Sequence, residues 1–201
     1  MSTLRPARPV VILLAAFLAL GAAGAVFAQA ALAVSVDGTV ASLSAGRITL
    51  TAPDGTTKEA VLSRATMILE RRKATLSDIQ KGDAMGVTAH RAEDGNMTAT
   101  IINIFPAGLY RVVKKGQFAM QQPGQIMTNA VVSAYVAGGA AHQLTMRFGK
   151  ETYPIVVPDD TQIFRLVAVD RGMVKQGMHV LVRGTQNADG TVKAAVVSYD
   201  G

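Results

Sequence analysis

The chain of 201 residues contains no cysteine and no tryptophan. The lack of cysteine excludes disulfides, thiol nucleophiles, thiolate metal sites and the acylated cysteine of a lipoprotein anchor, and it leaves the compartment open. Aromatic residues make up only 5%, and Tyr135, Tyr153 and Tyr199 are scattered. Single-stranded nucleic acid needs stacking aromatics on one face, so it is not an expected partner. The three histidines, His90, His142 and His179, are never two or four residues apart, and a closed metal site needs ligands that converge. They read as isolated surface side chains, with no metal or cofactor expected. No Gly-x-Ser-x-Gly elbow, phosphate loop or dinucleotide fingerprint occurs. Asp159 and Asp160 are adjacent; on a strand they would point to opposite faces, so they form no acid–base pair and fit a turn instead. Nothing here supports an enzyme.

What the chain does contain is a repeat. Gly82 to Ile104 reads GDAMGVTAHRAEDGNMTATIINI, and Gly177 to Tyr199, at a constant offset of 95 residues, reads GMHVLVRGTQNADGTVKAAVVSY. A period this long is a whole small domain and not a solenoid unit. Each copy is two alternating runs around a polar turn. Met85, Val87 and Ala89 share one face, as do Met97, Ala99 and Ile101; their partners are Val180, Val182 and Gly184, then Val192, Ala194 and Val196. Period-two spacing places each set on one side of a sheet. Glu93-Asp94-Gly95-Asn96 and Ala188-Asp189-Gly190-Thr191 are turn signals. The off-face positions, among them His90, Thr98, His179, Arg183 and Lys193, are mostly polar.

Residues 1–30 read as a signal peptide. Arg5 and Arg8 form a basic start, Val10 to Ala28 carries no charge, and Ala28-Gln29-Ala30 has the small residues a signal peptidase needs. The apolar run is nearly long enough to span a bilayer, but Gly21, Gly24 and many alanines weaken an anchor. From Val34 the pattern becomes strands: Val34–Leu43, Gly46–Ala52 and Thr57–Ser63, the last open to continuation through Met67–Leu69, with Pro53-Asp54-Gly55 as a turn. Thr75-Leu76-Ser77-Asp78 fits a capping box on one helical turn, and Gly82 stops it. Residues 106–125 read as a connector, apolar enough at Tyr110, Val112, Val113, Phe118 and Met120 to pack between domains. Ile126–Val136, Gln143–Phe148 and Thr152–Val157 repeat the opening strands. Gly138-Gly139 turns between the first two, and Pro154 argues for an edge position. Ile163-Phe164 matches Ile68-Leu69, and Asp170–Gln176 replaces the capped turn.

The signature Lys81-Gly82…Val87…Asp94-Gly95…Ala99…Ile101 recurs as Gln176-Gly177…Val182…Asp189-Gly190…Ala194…Val196. It resembles a bacterial exported β-barrel family, OB-like in strand order, catalogued only as a domain of unknown function. The resemblance covers most of the chain after residue 34, once per half, and the second half departs from it at Arg171, where the first has Leu76. It implies no catalytic residues. The expected fold is all-β: a signal peptide at 1–30, a five-stranded OB-like barrel at 34–105, a connector at 106–125 and a second such barrel at 126–200. Each barrel carries a short helical turn between strands three and four and is closed by its own strands.

Net charge is +6, and since Arg5 and Arg8 are the only charges before Ala30, the rest of the chain carries 18 basic and 14 acidic side chains, a mild +4. The basic residues cluster at Arg71-Arg72-Lys73, with Arg64 nearby, and at Arg111, Lys114 and Lys115. A solvated loop accounts for such runs as a rule. The functional alternative is contact with an anionic partner. Arg71, Arg72, Lys73, Lys114 and Lys115 are the candidate ligand-binding residues. The function expected is that of a non-catalytic binding or scaffolding module of the envelope, periplasmic or secreted. Its partner would be an envelope protein or an anionic polymer, and its membrane contact would come only through an uncleaved signal segment. Two other classes stay open. One is an envelope enzyme or enzyme accessory with its site between the barrels. The other is a copper-handling protein using Met173, Met178 and His179, since copper(I) favours thioethers, although methionine more commonly fills gaps in cores.

The exported protein is expected to begin at Ala31. N-terminal sequencing of the exported form checks this, and retention of Met1 would indicate an anchor instead.

Overall fold

Between Gly55 and Gly82 the chain has neither glycine nor proline. Nothing in that stretch favours a tight reversal, and it forms one strand of 18 residues, β3 (Thr57–Ala74). The fold is a consequence of where that strand leads. A computed structural model describes residues 33–92, 95–120, 122–136 and 142–201. The expected signal segment, Glu93 and Asp94 of the first hairpin turn, and Gly138-Gly139 lie outside the described residues.

Before β3 come β1 (Ala33–Ser44) and β2 (Arg47–Thr51). After it come β4 (Ala84–Arg91), β5 (Met97–Ile104), α1 (Ala107–Val112), β6 (Gly116–Ala119), β7 (Gln125–Val136), β8 (His142–Phe148), β9 (Glu151–Val157), β10 (Gln162–Val169), β11 (His179–Gln186) and β12 (Val192–Asp200). Single 3₁₀ turns at Leu76–Asp78 and Arg171–Met173 precede β4 and β11. In the first, the Thr75 N–H donates to the Asp78 carboxylate at 2.8 Å. Among the described residues no helix is long and apolar enough to cross a membrane.

The all-β expectation is met, and the repeat is visible in the elements: β4 and β11 start 95 residues apart, as do β5 and β12. The expected division into one barrel at 34–105 and another at 126–200, each closed by its own strands, is corrected by the pairing. β1, β2 and β3 form antiparallel neighbours, but β1 continues onto β11, and β3 runs parallel to β12. The β11–β12 hairpin then closes a five-stranded ring, here ring A. β7, β8 and β9 close in the same way with β4 and β5, the last contact being Thr98 opposite Val156, to give ring B. Each ring takes three strands from one half and two from the other. The physical reason is that both halves carry near-equivalent hairpins, so either can complete either ring. The continuation of β3 past an irregularity at Ser63–Thr66 carries the first hairpin away from its own neighbours. This is strand exchange between like units within one chain.

β3 and β10 meet in an antiparallel ribbon from Ile68 opposite Val169 to Ala74 opposite Ile163. At its middle Arg71 faces Leu166, its own counterpart at the 95-residue offset. An approximate twofold axis therefore passes through that pair and relates the rings. Two cores follow. Met85, Val87, Ile102 and Ile104 pack with Val132, Leu144, Met146 and Ile155 in ring B. Val40, Ile48, Leu50 and Leu62 pack with Val180, Val182, Val197 and Tyr199 in ring A. Of the inward series expected from the alternation, Met85, Val87, Ala89, Met97, Ala99, Val180, Val182, Val192 and Ala194 are buried, but against the other half. Beyond the bulges the face switches, so Ile102 and Val197 point inward in place of the expected Ile101 and Val196. Gly184 sits at a bulge where a Cβ would lie 2.0 Å from the Lys193 carbonyl oxygen, so only glycine fits.

The expected connector is not a simple spacer. β6 adds to β7, from Gly116 opposite Asn129 to Ala119 opposite Ile126. In α1, Leu109 is buried, and a Cβ at Gly108 would lie 3.5 Å from the Met67 sulfur.

Val182 is fully buried in ring A. Val182→Asp places an unpaired carboxylate there and should cost about 4 kcal/mol or more. Hydrogen exchange should then show protection lost together in 33–62 and 179–200, while 84–104 and 125–157 hold longer. Protection retained in the N-terminal strands would mean that the rings are not exchanged.

Candidate functional site

On an antiparallel ribbon, residues directly opposite each other share a face. Arg72 lies opposite Arg165, Arg71 opposite Leu166 and Lys73 opposite Phe164. Arg71 and Lys73 therefore share one face with Phe164 and Leu166, and Arg72 and Arg165 share the other. The Arg71 guanidinium stacks 4.2 Å over the Phe164 ring and makes a forked contact with Asp200, Nε to Oδ1 at 2.5 Å and Nη2 to Oδ2 at 2.9 Å. Arg72 donates to Glu70 at 2.7 Å. That hydrogen bond, ahead of the charge itself, holds the Glu70 carboxyl below its ordinary pKa and raises that of Arg72. Arg165 donates to the Asp78 carbonyl at 2.9 Å. Lys73 is exposed and has no ion-pair partner among the described residues.

Arg183 belongs to the same region. Packing around its guanidinium, and then the neighbouring Arg71 charge, push its pKa down, although part of the residue remains exposed. This region thus holds five cations, Arg71, Arg72, Lys73, Arg165 and Arg183, against three carboxylates, Glu70, Asp200 and Asp78, the last lying close enough to feel the Arg165 charge.

The structure does not unite the five residues singled out from the sequence. Arg71, Arg72 and Lys73 stand on the ribbon. Lys114 and Lys115 stand where the connector meets ring B. The Lys114 ammonium is 4.5 Å from the Phe118 ring centroid, and its carbonyl accepts from Asn129 Nδ2 at 2.7 Å. Lys115 reaches the Arg111 carbonyl at 3.4 Å and the Tyr110 ring at 5.3 Å. Sequence reasoning missed Arg165 and Arg183 as members of the ribbon patch. The repeat carried a signal for both: at the 95-residue offset they replace Glu70 and Thr88, cations where the first half has an acid and a neutral residue.

The soft-ligand group is dispersed. Met178 packs against the core of ring A, and its sulfur accepts from the Lys175 N–H at 3.1 Å. Met173 is half exposed. His179 turns to Asp37, with Nε2 at 2.8 Å from Oδ1. His142 lies 3.3 Å from Asp159 and stacks on Tyr135. Among the described residues no three His, Asp or Glu side chains converge as metal ligands would.

Residues 131–198 match the family model described as a domain of unknown function, DUF5666. No curated protein and no solved structure matches the chain. The matched span runs from within β7 into β12, so a contiguous family unit is divided here between ring B and ring A.

The Arg71 hydrogen bond, then its charge, keeps the Asp200 carboxyl below its usual pKa. A depressed carboxyl contributes stability that is complete above the unfolded value of about 3.9 and fades as pH falls through the folded one. Asp200 is 69% exposed at its side chain, so the pair is worth no more than about 1 kcal/mol. Asp200→Asn should lower Tm slightly at pH 7, and the deficit should shrink toward acid pH. An equal deficit at every pH would assign the loss to packing.

Proposed function

We propose that the protein is an exported, non-catalytic binding or scaffolding module of the bacterial envelope that holds an anionic polymer against the β3–β10 ribbon. The observation that carries this reading is the excess of cations at the twofold axis. Arg71, Arg72, Lys73, Arg165 and Arg183 gather around the junction of the rings, and three carboxylates, Glu70, Asp78 and Asp200, answer them. A ribbon that joins two closed rings is a rigid element, and rigid elements hold charges at fixed spacing. Arg71 and Lys73 lie on one face of the ribbon and Arg72 and Arg165 on the other, so a polyanion that wraps the ribbon meets cations on both faces and attraction accumulates along its length. Lys114 and Lys115 form a separate patch on ring B and would add to such binding only for a polymer long enough to reach it. Guanidinium forks suit carboxylate or phosphate groups.

The test compares two variants, Arg72→Ser/Lys73→Ser and Lys114→Ser/Lys115→Ser, with the parent for binding to polygalacturonate over a salt series. The ribbon variant should bind about tenfold more weakly with a flatter salt dependence, and the connector variant should lose less. Equal binding by parent and ribbon variant would reduce the patch to solvated surface.

A further inference from the structure

The twofold relation gives the five strands of each ring equivalents in the other, so differences between equivalents are informative. One pair of equivalents is an open depression where the first strand of each ring leaves one neighbour for the next. In ring A β1 passes from β11 to β2, and in ring B β7 passes from β4 to β8. Both strands bulge there, between Val40 and Ser42 and between Val132 and Ala134. The backbone beneath is the same in both: Gly177 N–H donates to the Val40 carbonyl at 2.8 Å, and Gly82 N–H to the Val132 carbonyl at 3.0 Å. The depressions are also alike in size, about 480 Å³ in ring A and about 470 Å³ in ring B, and both are open to solvent.

Their chemistry differs. Thr39 faces Thr51 in ring A, and at the matching places Val131 faces Arg147 in ring B. Gln176 precedes Gly177, and Lys81 precedes Gly82. The ring B depression is therefore lined by Lys81, Arg147 and Thr152, while the ring A depression has Thr39, Thr51 and His179. Among the described residues neither Lys81 nor Arg147 has an ion-pair partner. Asp83 accepts from the Gln80 N–H at 2.9 Å and Glu151 from the Tyr153 hydroxyl, and neither is paired with Lys81 or Arg147. Both side chains are exposed, so a dianion in the depression meets two positive charges without first breaking an ion pair.

We propose that the ring B depression binds a phosphate monoester. Arg147 supplies a planar fork of N–H donors, Lys81 a second positive charge and Thr152 a hydroxyl donor. Two cations match a phosphate monoester, which carries a charge near −2 at neutral pH, better than they match a single carboxylate. The site stands apart from the ribbon and does not depend on a polymer binding there.

The test uses the full chain and two probes, glucose 1-phosphate and inorganic phosphate, followed by amide NMR. Gly82, Ser133 and Thr152 should shift saturably, and Thr39, Ala41 and Thr51 should not. A variant carrying the lining of the other ring, Lys81→Gln with Arg147→Thr, should keep its Tm and bind the sugar phosphate at least about tenfold more weakly. The ribbon variant Arg72→Ser/Lys73→Ser should bind it unchanged. Shifts in both depressions alike, equal affinity in the Lys81/Arg147 variant, or no saturable shift at millimolar probe would overturn the assignment. Equal affinity for both probes would assign the site to the free anion and overturn an ester ligand.

Discussion

The antiparallel contact between β3 and β10 is the constraint on which the rest of the structure depends. Seven residue pairs hold it, from Ile68–Val169 to Ala74–Ile163. Because β3 reaches its partner without a break, the hairpin that follows it is delivered to the opposite ring, and the equivalent hairpin after β10 is delivered back. Two rings, two mixed cores and the approximate twofold axis all follow from that one crossing. A buried polar contact marks the same junction: the Thr66 hydroxyl donates to the Ala194 carbonyl at 2.7 Å, where β12 slips register against β3. Together these contacts join the described residues of the two halves in a single compact unit.

The features legible in the sequence are those set by neighbours along the chain. Alternation placed Met85, Val87, Val180 and Val182 inward, and all four are buried. Gly95 and Gly190 have positive φ, as their turns require. Pro154 lies on β9, which touches β5 at one residue pair only, so its missing N–H interrupts little of the ladder. What stayed hidden was the choice of partner. A strand pattern states which face is apolar, and it is silent on which of two near-equivalent hairpins fills the ring. Exchange conserves every local pairing type, so no periodicity could reveal it.

The basic residues show the same division. Arg71, Arg72 and Lys73 are adjacent in sequence, and their nearness needed no structure. Arg165 joins them only through the ribbon register, and Arg183 only through the closing of ring A. Lys114 and Lys115 have the same charge but belong to a different surface, because β6 pairs with β7 and holds them at ring B. The chemical contrast between the two depressions was invisible for a related reason. It depends on which residue faces which across a bulge, and the offset between copies changes along β1, β2 and their counterparts.

Ring A joins the first described strand of the chain to the last. Its wall stays open between β1 and β3 until β11 and β12 are in place, so a chain delivered N-terminus first can complete ring B while ring A still waits. The loop that must close, from β3 to β12, spans more than a hundred residues, and ordering so long a loop slows assembly more than it weakens the product. Ile48, Leu50 and Leu62 are therefore the apolar side chains exposed longest during folding, and the final nine-residue strand, Val192–Asp200, is the piece that shields them.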